Sequence, residues 1–228
     1  MMFSLDYLMF MIPAFILMGF TSWYVKHAYS KWSKVRATSG LTGQQAAERL
    51  MSAGGLYGVK INTIAGQMTD HYDPRNKTLN LSQGVANQPS VAALAIAAHE
   101  LGHAMQDADD YFPLRLRGAL VPMVNIGSNL GWILIMIGLF INLTELAWLG
   151  VIFFALGAVF ALATLPVEFD ASARAKRLLA DSGIVNQGDE LSGVKSVLNA
   201  AALTYVAALV TAILQILYYV TLIGRRRD

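Results

Sequence analysis

The sequence contains no cysteine and only four histidines, and charged residues make up 14% of it. The absence of cysteine excludes disulfide bonds and thiolate metal sites, which leaves histidines and carboxylates as the side chains that ligate transition metals. In soluble domains about a quarter of the residues are charged, so the low content of charged residues argues against an ordinary soluble protein. The formal net charge of +2 is too small to indicate a nucleic-acid partner, and we expect none.

Apolar residues are abundant, at 55% of the chain, and they are concentrated in long runs. A helix crosses a bilayer with about 20 apolar residues. Four stretches reach this length: Tyr7–Val25, Ala119–Leu143, Leu146–Val167 and Val197–Ile223. No basic residue precedes the first stretch and no small-residue cleavage site follows it, so we interpret it as a retained anchor rather than a signal peptide. The sequence therefore predicts a multi-pass protein embedded in a lipid bilayer.

Most basic residues lie beside the predicted spans, within residues 26–118 and 168–196. The positive-inside rule places these two polar segments in the cytoplasm. Arg225, Arg226 and Arg227 conflict with this orientation, because four spans put the C-terminus on the opposite side. Either orientation leaves the two polar segments on the same side of the membrane, since two spans separate them.

The two polar segments contain helix and strand patterns. Residues 26–53 are predicted to be helical, with Thr42 as a candidate N-cap, and residues 58–82 to form a small antiparallel sheet. Ser90 is the candidate cap of a helix of about five turns. Residues 168–181 have the pattern of another helix.

The helix after Ser90 carries "HELGH", in which Glu100 directly follows His99 and His103 lies four residues after His99. On a helix this spacing puts both imidazoles on one face, one turn apart, so that both can reach one ion. The arrangement is that of two zinc ligands and a general base, because Glu100 can take a proton from a water that attacks a peptide carbonyl. The alternative is a chance match, which is rare in a chain with so few histidines.

A catalytic zinc ion needs a third protein ligand. The other histidines, His27 and His71, are candidates, as are several acidic residues. Glu168 stands out because it is the first polar residue after an uncharged predicted span, where a lone carboxylate is costly unless it is paired or coordinates a cation. The alternative is an acid that favours the N-terminus of a helix through the helix dipole. The residues alone leave these two interpretations evenly balanced.

"AAHELGHAMQD" with the distant "LPVEFDASARAKRLL" resembles the YugP-like bacterial membrane zinc metallopeptidases. "DHYDPRNKTLNLS" and "PLRLRGALVPMVNIGSNLG" fit the same family, so the resemblance covers nearly the whole chain. More distantly, the pattern is similar to HtpX and the CAAX prenyl proteases, which are gluzincins. The resemblance implies one Zn²⁺ per chain with His99, His103 and Glu168 as ligands and Glu100 as the base. It also implies a location in the bacterial inner membrane.

The chain departs from the HtpX-like pattern at one position. There, an aspartate four residues after the ligand glutamate orients a ligand histidine, whereas this chain has Ser172. Carboxylates in that role hold the imidazole in its working tautomer. Asp107 and Asp170 are the other candidates for this role, and His71 is a candidate donor to the oxyanion. Residues 77–82 are a candidate open strand edge for an extended substrate, with an ordinary structural strand as the even alternative.

The expected fold is an all-α membrane protein with four transmembrane helices plus a small cytoplasmic α+β zincin-like catalytic region. The expected divisions are transmembrane helix 1 at 1–25, the polar catalytic region at 26–118, the transmembrane hairpin at 119–167, the third-ligand helix at 168–196, and transmembrane helix 4 with the basic C-terminus at 197–228.

The expected function is a zinc-dependent endopeptidase that hydrolyses membrane or membrane-associated proteins or peptides at the membrane surface. One alternative is a non-proteolytic membrane scaffold that keeps the metal, although a purely structural site needs no base such as Glu100. Another is a metal transporter, which would require ionisable residues inside the spans. Whether the chain forms a homo-oligomer or binds a regulatory membrane partner stays open.

Overall fold

The structure, a computed structural model, describes residues 5–225 and is mostly helical. Its elements are α1 (Leu5–Ser33), α2 (Gly43–Ala53), β1 (Lys60–Ile64), β2 (His71–Asp73), β3 (Thr78–Ser82), α3 (Gln83–Ala86), α4 (Val91–Ala108), α5 (Phe112–Phe140), α6 (Thr144–Asp181) and α7 (Asp189–Gly224). Within these residues, four helices are long and apolar enough to cross a membrane, namely α1, α5, α6 and α7. The four predicted spans are therefore confirmed as helices of the required length and composition.

The chain divides into two compact units. The first, which we call the span unit, comprises Met1–Ser22, Arg115–Leu165 and Thr204–Asp228. The second, which we call the polar unit, comprises Trp23–Leu114 and Pro166–Leu203. All the residues of the candidate site lie in the polar unit.

In the span unit, large apolar side chains are exposed, as expected of surfaces that face lipid; Phe15, Ile126 and Ile152 are each more than 60% exposed. Helices α5 and α6 touch closely, because a Cβ atom on Gly131 would lie 2.5 Å from the backbone nitrogen of Phe154. The side chain of Asp6 forms an ion pair with Arg225, near the ends of α1 and α7. Arg226 and Arg227, which the orientation argument also used, lie outside the described residues.

The polar unit contains a three-stranded sheet in the order β1-β3-β2. β2 pairs antiparallel with β3, and Tyr72 lies opposite Leu79. β1 pairs parallel with β3, opposing Lys60 to Thr78. The prediction of a purely antiparallel sheet is therefore wrong. The short strand β2 precedes the "DPRN" turn and forms the hairpin with β3, which leaves only the other edge of β3 for β1.

The prediction that residues 26–53 are helical is confirmed only in part, because α1 ends at Ser33 and α2 begins at Gly43. The connecting residues pair with the segment before α4 instead: the backbone carbonyl of Val35 accepts from the N–H of Val91 at 3.0 Å. The predicted caps are confirmed. The Thr42 side chain accepts from the Gln45 N–H at 3.3 Å in a capping box, and Ser90 accepts from the Ala93 N–H at 3.2 Å.

Helices α4 and α6 pack at very short range, because a Cβ atom on Gly102 would lie 2.5 Å from the carbonyl oxygen of Ala171. The expected start of a new helix at Glu168 is wrong: α6 continues from Thr144 to Asp181 with Pro166 inside it. The start of the last helix also differs, since α7 begins at Asp189 rather than at the predicted 197. One continuous helix thus carries both an apolar stretch and the candidate third ligand.

Candidate metal centre

His99 and His103 on α4 face Glu168 on α6. The Oε2 atom of Glu168 lies 3.3 Å from His99 Nε2 and 3.7 Å from His103 Nε2. The three candidate ligand atoms all lie within 4.8 Å of one another. Glu168 is only 2% exposed and His103 is 9% exposed, so the cluster is largely shielded from solvent.

The donor set and its spacing fit a zinc ion. Ligand atoms about 2.1 Å from zinc and separated by a tetrahedral angle lie about 3.4 Å from each other. The two distances from Glu168 to the imidazoles bracket this value. Among residues 5–225, His99, His103 and Glu168 are the group of acidic and histidine side chains close enough to hold one ion. Two histidines with one glutamate leave a fourth position for water or substrate, as catalytic zinc sites require.

The position of Glu168 removes the alternative interpretation of this residue. It lies in the interior of α6 rather than at a helix N-terminus, so the helix dipole gives no reason for a carboxylate there. What surrounds it instead is a pair of imidazoles. A buried carboxylate in this setting is expected to be paired with a cation or with cationic side chains.

Glu100 lies beside the cluster on α4 and is 8% exposed. Its Oε2 atom accepts a hydrogen bond from the backbone N–H of Tyr72 in β2, at 3.1 Å. Since this N–H points to α4, it is not available to the ladder with β3. The edge of the sheet therefore fixes one oxygen of the candidate base and leaves the other oxygen able to take a proton.

Burial and neighbouring carboxylates act on the pKa of His103 in opposite directions. Burial opposes the charged imidazolium, but the hydrogen bond with Glu168 and the charge of Glu100 outweigh it and raise the pKa of His103 above its usual range. The cluster thus favours a positive charge between its carboxylates. A metal cation at this place would satisfy the same requirement.

The three candidates for orienting a ligand histidine lie in different places. Ser172 does contact a ligand, with its hydroxyl 3.2 Å from His99 Nδ1. Asp107 does not, because it lies on the side of α4 that faces β2, where it accepts from the Tyr72 hydroxyl at 2.9 Å. Burial and this hydrogen bond raise the pKa of Tyr72. Asp170 lies one contact further away, where it accepts from Gln106 and from Arg174.

Gln106 is the residue that sequence reasoning missed. It is fully buried, and its Oε1 atom lies 3.0 Å from His103 Nδ1. A signal was present in the sequence, because Gln106 follows His103 by three residues and so shares its helix face. Glutamine is common on solvated helix faces, however, and the spacing alone does not separate the two cases.

The structure does not bring His71 into the cluster. Its Nδ1 atom lies 2.9 Å from the carbonyl oxygen of Thr69, and its Nε2 atom lies 3.2 Å from the side-chain amide of Asn80. Side chains alternate along a strand, so His71 projects from the opposite face to Tyr72. Both ring nitrogens are engaged there, which argues against a role as oxyanion donor. Residues 77–82 are not an open edge either, since β3 is the central strand.

Comparisons with known proteins place the chain among similar sequences. A family model described as "Putative neutral zinc metallopeptidase" matches residues 7–224. The chain is 38% identical over 224 residues to the "Putative membrane protease YugP" of Bacillus subtilis (strain 168). This match covers 97% of this chain and 99% of that protein. No solved structure gives a significant match.

Proposed function

This chain belongs to the family described as "Putative neutral zinc metallopeptidase", and from that premise we propose that it is an integral membrane, zinc-dependent endopeptidase of the gluzincin type. Its substrates are membrane or membrane-associated proteins, cut at the membrane surface. The observation that carries the proposal is the meeting of His99, His103 and Glu168 next to the buried carboxylate of Glu100. A structural metal site has no use for such a base.

In this proposal His99, His103 and Glu168 would hold the metal through their Nε2 and Oε2 atoms. When bound there, a zinc ion would act as a Lewis acid that polarises the scissile carbonyl and lowers the pKa of water. Glu100 accepts the proton of the attacking water and then donates it to the leaving amine. The Tyr72 N–H holds the Oε2 atom of Glu100 during both transfers, so the other oxygen carries the proton.

We further propose that β2 is the strand along which an extended substrate binds. β2 is an edge strand of the sheet. In an antiparallel pair, the N–H and C=O of one residue point to the same side. The Tyr72 N–H points away from β3 and towards Glu100, so its carbonyl points outward too and can accept from a substrate N–H.

The location at the membrane surface is supported by the sequence around Glu168. This residue directly follows residues 146–167, which carry no charge. The candidate site belongs to the two polar segments that contain most of the basic residues. We therefore propose that the protein lies in a bacterial inner membrane with its site on the cytoplasmic side.

The test uses the full-length chain in detergent and measures both cleavage of a casein-type substrate and bound zinc. Glu100→Gln is expected to lower kcat by about 10²–10⁴-fold, because it removes the general base, while zinc is retained. Glu48→Gln, at an exposed glutamate of α2 in the same unit, is the matched control and is expected to keep full activity. Undiminished cleavage by Glu100→Gln would contradict the role of Glu100 as the base, and a zinc-loaded wild-type chain that cleaves nothing would favour the non-proteolytic scaffold instead.

A further inference from the structure

We propose that Gln106 is a positioning residue that fixes the imidazole of His103, with its proton on Nδ1 and its Nε2 lone pair turned towards Glu168. The proposal rests on the proposed function, since it concerns how a ligand of the candidate metal centre is held. It assigns a role to a side chain that contacts neither the substrate nor the metal.

Three contacts define the place of the Gln106 side chain, which is fully buried. The Oε1 atom lies 3.0 Å from His103 Nδ1. The Nε2 atom donates to the carbonyl oxygen of Val167 at 2.8 Å and to Asp170 Oδ2 at 2.9 Å. Every polar atom of this side chain thus has a partner, and the partners come from both helices that supply the ligands.

These contacts determine which way the amide of Gln106 points. The carbonyl of Val167 can only accept a hydrogen bond, so the NH₂ group has to face it. The Asp170 carboxylate also acts as an acceptor there, because it is held by Arg174, whose Nε atom lies 2.6 Å away. The oxygen of the amide must therefore face His103, although oxygen and nitrogen of an amide are otherwise easily interchanged.

The direction of the amide determines the tautomer of His103. An amide oxygen only accepts, so the Nδ1 atom of the imidazole must carry the proton. In a neutral imidazole the other nitrogen then has a lone pair, and this Nε2 atom is the one that lies 3.7 Å from Glu168 Oε2. A lone pair aimed at the cluster is the form in which histidine binds a metal.

Val167 and Asp170 lie on either side of Glu168 in α6. Because Gln106 bonds both of them, the orientation of His103 depends on the position of the helix that carries the third ligand. If α4 and α6 moved apart, the same displacement would separate the ligands and release the imidazole. His99 is held differently. Its partner is the hydroxyl of Ser172, which can donate or accept, so this contact does not by itself set a tautomer.

The first experiment measures the affinity of the full-length chain in detergent for Zn²⁺, by competition with a chelator. Gln106→Met removes both the acceptor and the donor at similar size, and we expect it to weaken zinc binding by about 10–100-fold. Gln44→Met is the matched control, at a glutamine of α2 that bonds Glu48 instead, and should leave the affinity unchanged. Wild-type affinity in Gln106→Met would overturn the proposal. A wild-type chain that binds no zinc would instead overturn the proposed function.

The second experiment observes the ring N–H of His103 by NMR in the zinc-loaded chain with ¹⁵N-labelled histidine. A proton held between Nδ1 and an oxygen acceptor resonates downfield, and Gln106→Met should move this signal upfield or lose it to exchange with water. The wild-type spectrum tests the tautomer even if Gln106→Met fails to fold, because the ring proton has to couple to the Nδ1 atom of His103 rather than to its Nε2 atom. An unchanged signal in Gln106→Met, or a wild-type ring proton on Nε2 of His103, would contradict the assignment.

Discussion

Glu100 on α4 accepts a hydrogen bond from the backbone N–H of Tyr72 on β2, at 3.1 Å. The donor belongs to the main chain, so no side-chain substitution at this position other than proline removes it. The small sheet therefore has a specific task beyond covering α4. It presents an edge whose outward N–H holds the candidate base beside the candidate metal ligands.

Tyr72→Pro is expected to lower kcat by about 10²-fold relative to Tyr72→Ala, because a misplaced base costs about that much. Both variants lose the ring and its bond to Asp107, but only proline also removes the N–H that holds Glu100. An edge strand tolerates proline where its N–H is not part of the ladder. The measurement is kcat for a peptide substrate together with bound zinc. Equal activity of the two variants would show that the N–H does not position the base.

Glu168→Gln is expected to weaken Zn²⁺ binding by more than about 100-fold, a larger effect than the 10–100-fold typical of residues that only support a ligand. Glu190 provides the comparison, because it is also a buried glutamate but accepts from Thr38 and Asn186 at the start of α7. Glu190→Gln should lower the free energy of unfolding by about 1–3 kcal/mol and leave zinc affinity unchanged. Zinc titration and thermal unfolding of both variants separate the two roles. Equal zinc affinity of Glu168→Gln and the wild type would remove Glu168 from the ligand set.

Gly102→Ala is expected to destabilise the chain by about 1–3 kcal/mol, since the new methyl group would press on the Ala171 carbonyl and separate α4 from α6. Because Gln106 and the ligands connect the same two helices, zinc affinity should fall as well. Gly118→Ala in α5 is the control: nothing lies within 4 Å of its Cβ position, so it should be neutral or stabilise by up to about 1 kcal/mol. A stable Gly102→Ala variant with normal zinc affinity would mean that the helices can move apart without disturbing the site.

Much of this arrangement could be predicted because its signals are local. The spacing of His99 and His103 needs only a helix, the caps at Thr42 and Ser90 need only a few neighbouring residues, and the spans need only length and composition. Glu168 was a candidate because a lone carboxylate after an uncharged stretch requires an explanation.

The errors concern features that depend on distant parts of the chain. β2 has three residues, too few for an alternating pattern to be recognised, and the parallel pairing of β1 follows from which edge of β3 the hairpin leaves open. The helix of Glu168 continues through Pro166, although the ring of a proline removes a backbone donor and usually ends or bends a helix. Gln106 could not be distinguished from a solvated glutamine without knowing that Val167 and Asp170 lie opposite.

The ion pair between Asp6 and Arg225 has a consequence for the order in which the chain is made. Asp6 lies near the start of α1, and Arg225 directly follows α7. This contact cannot form until α7 has been synthesised, so the ends of α1 and α7 can be joined only after the intervening helices have been made.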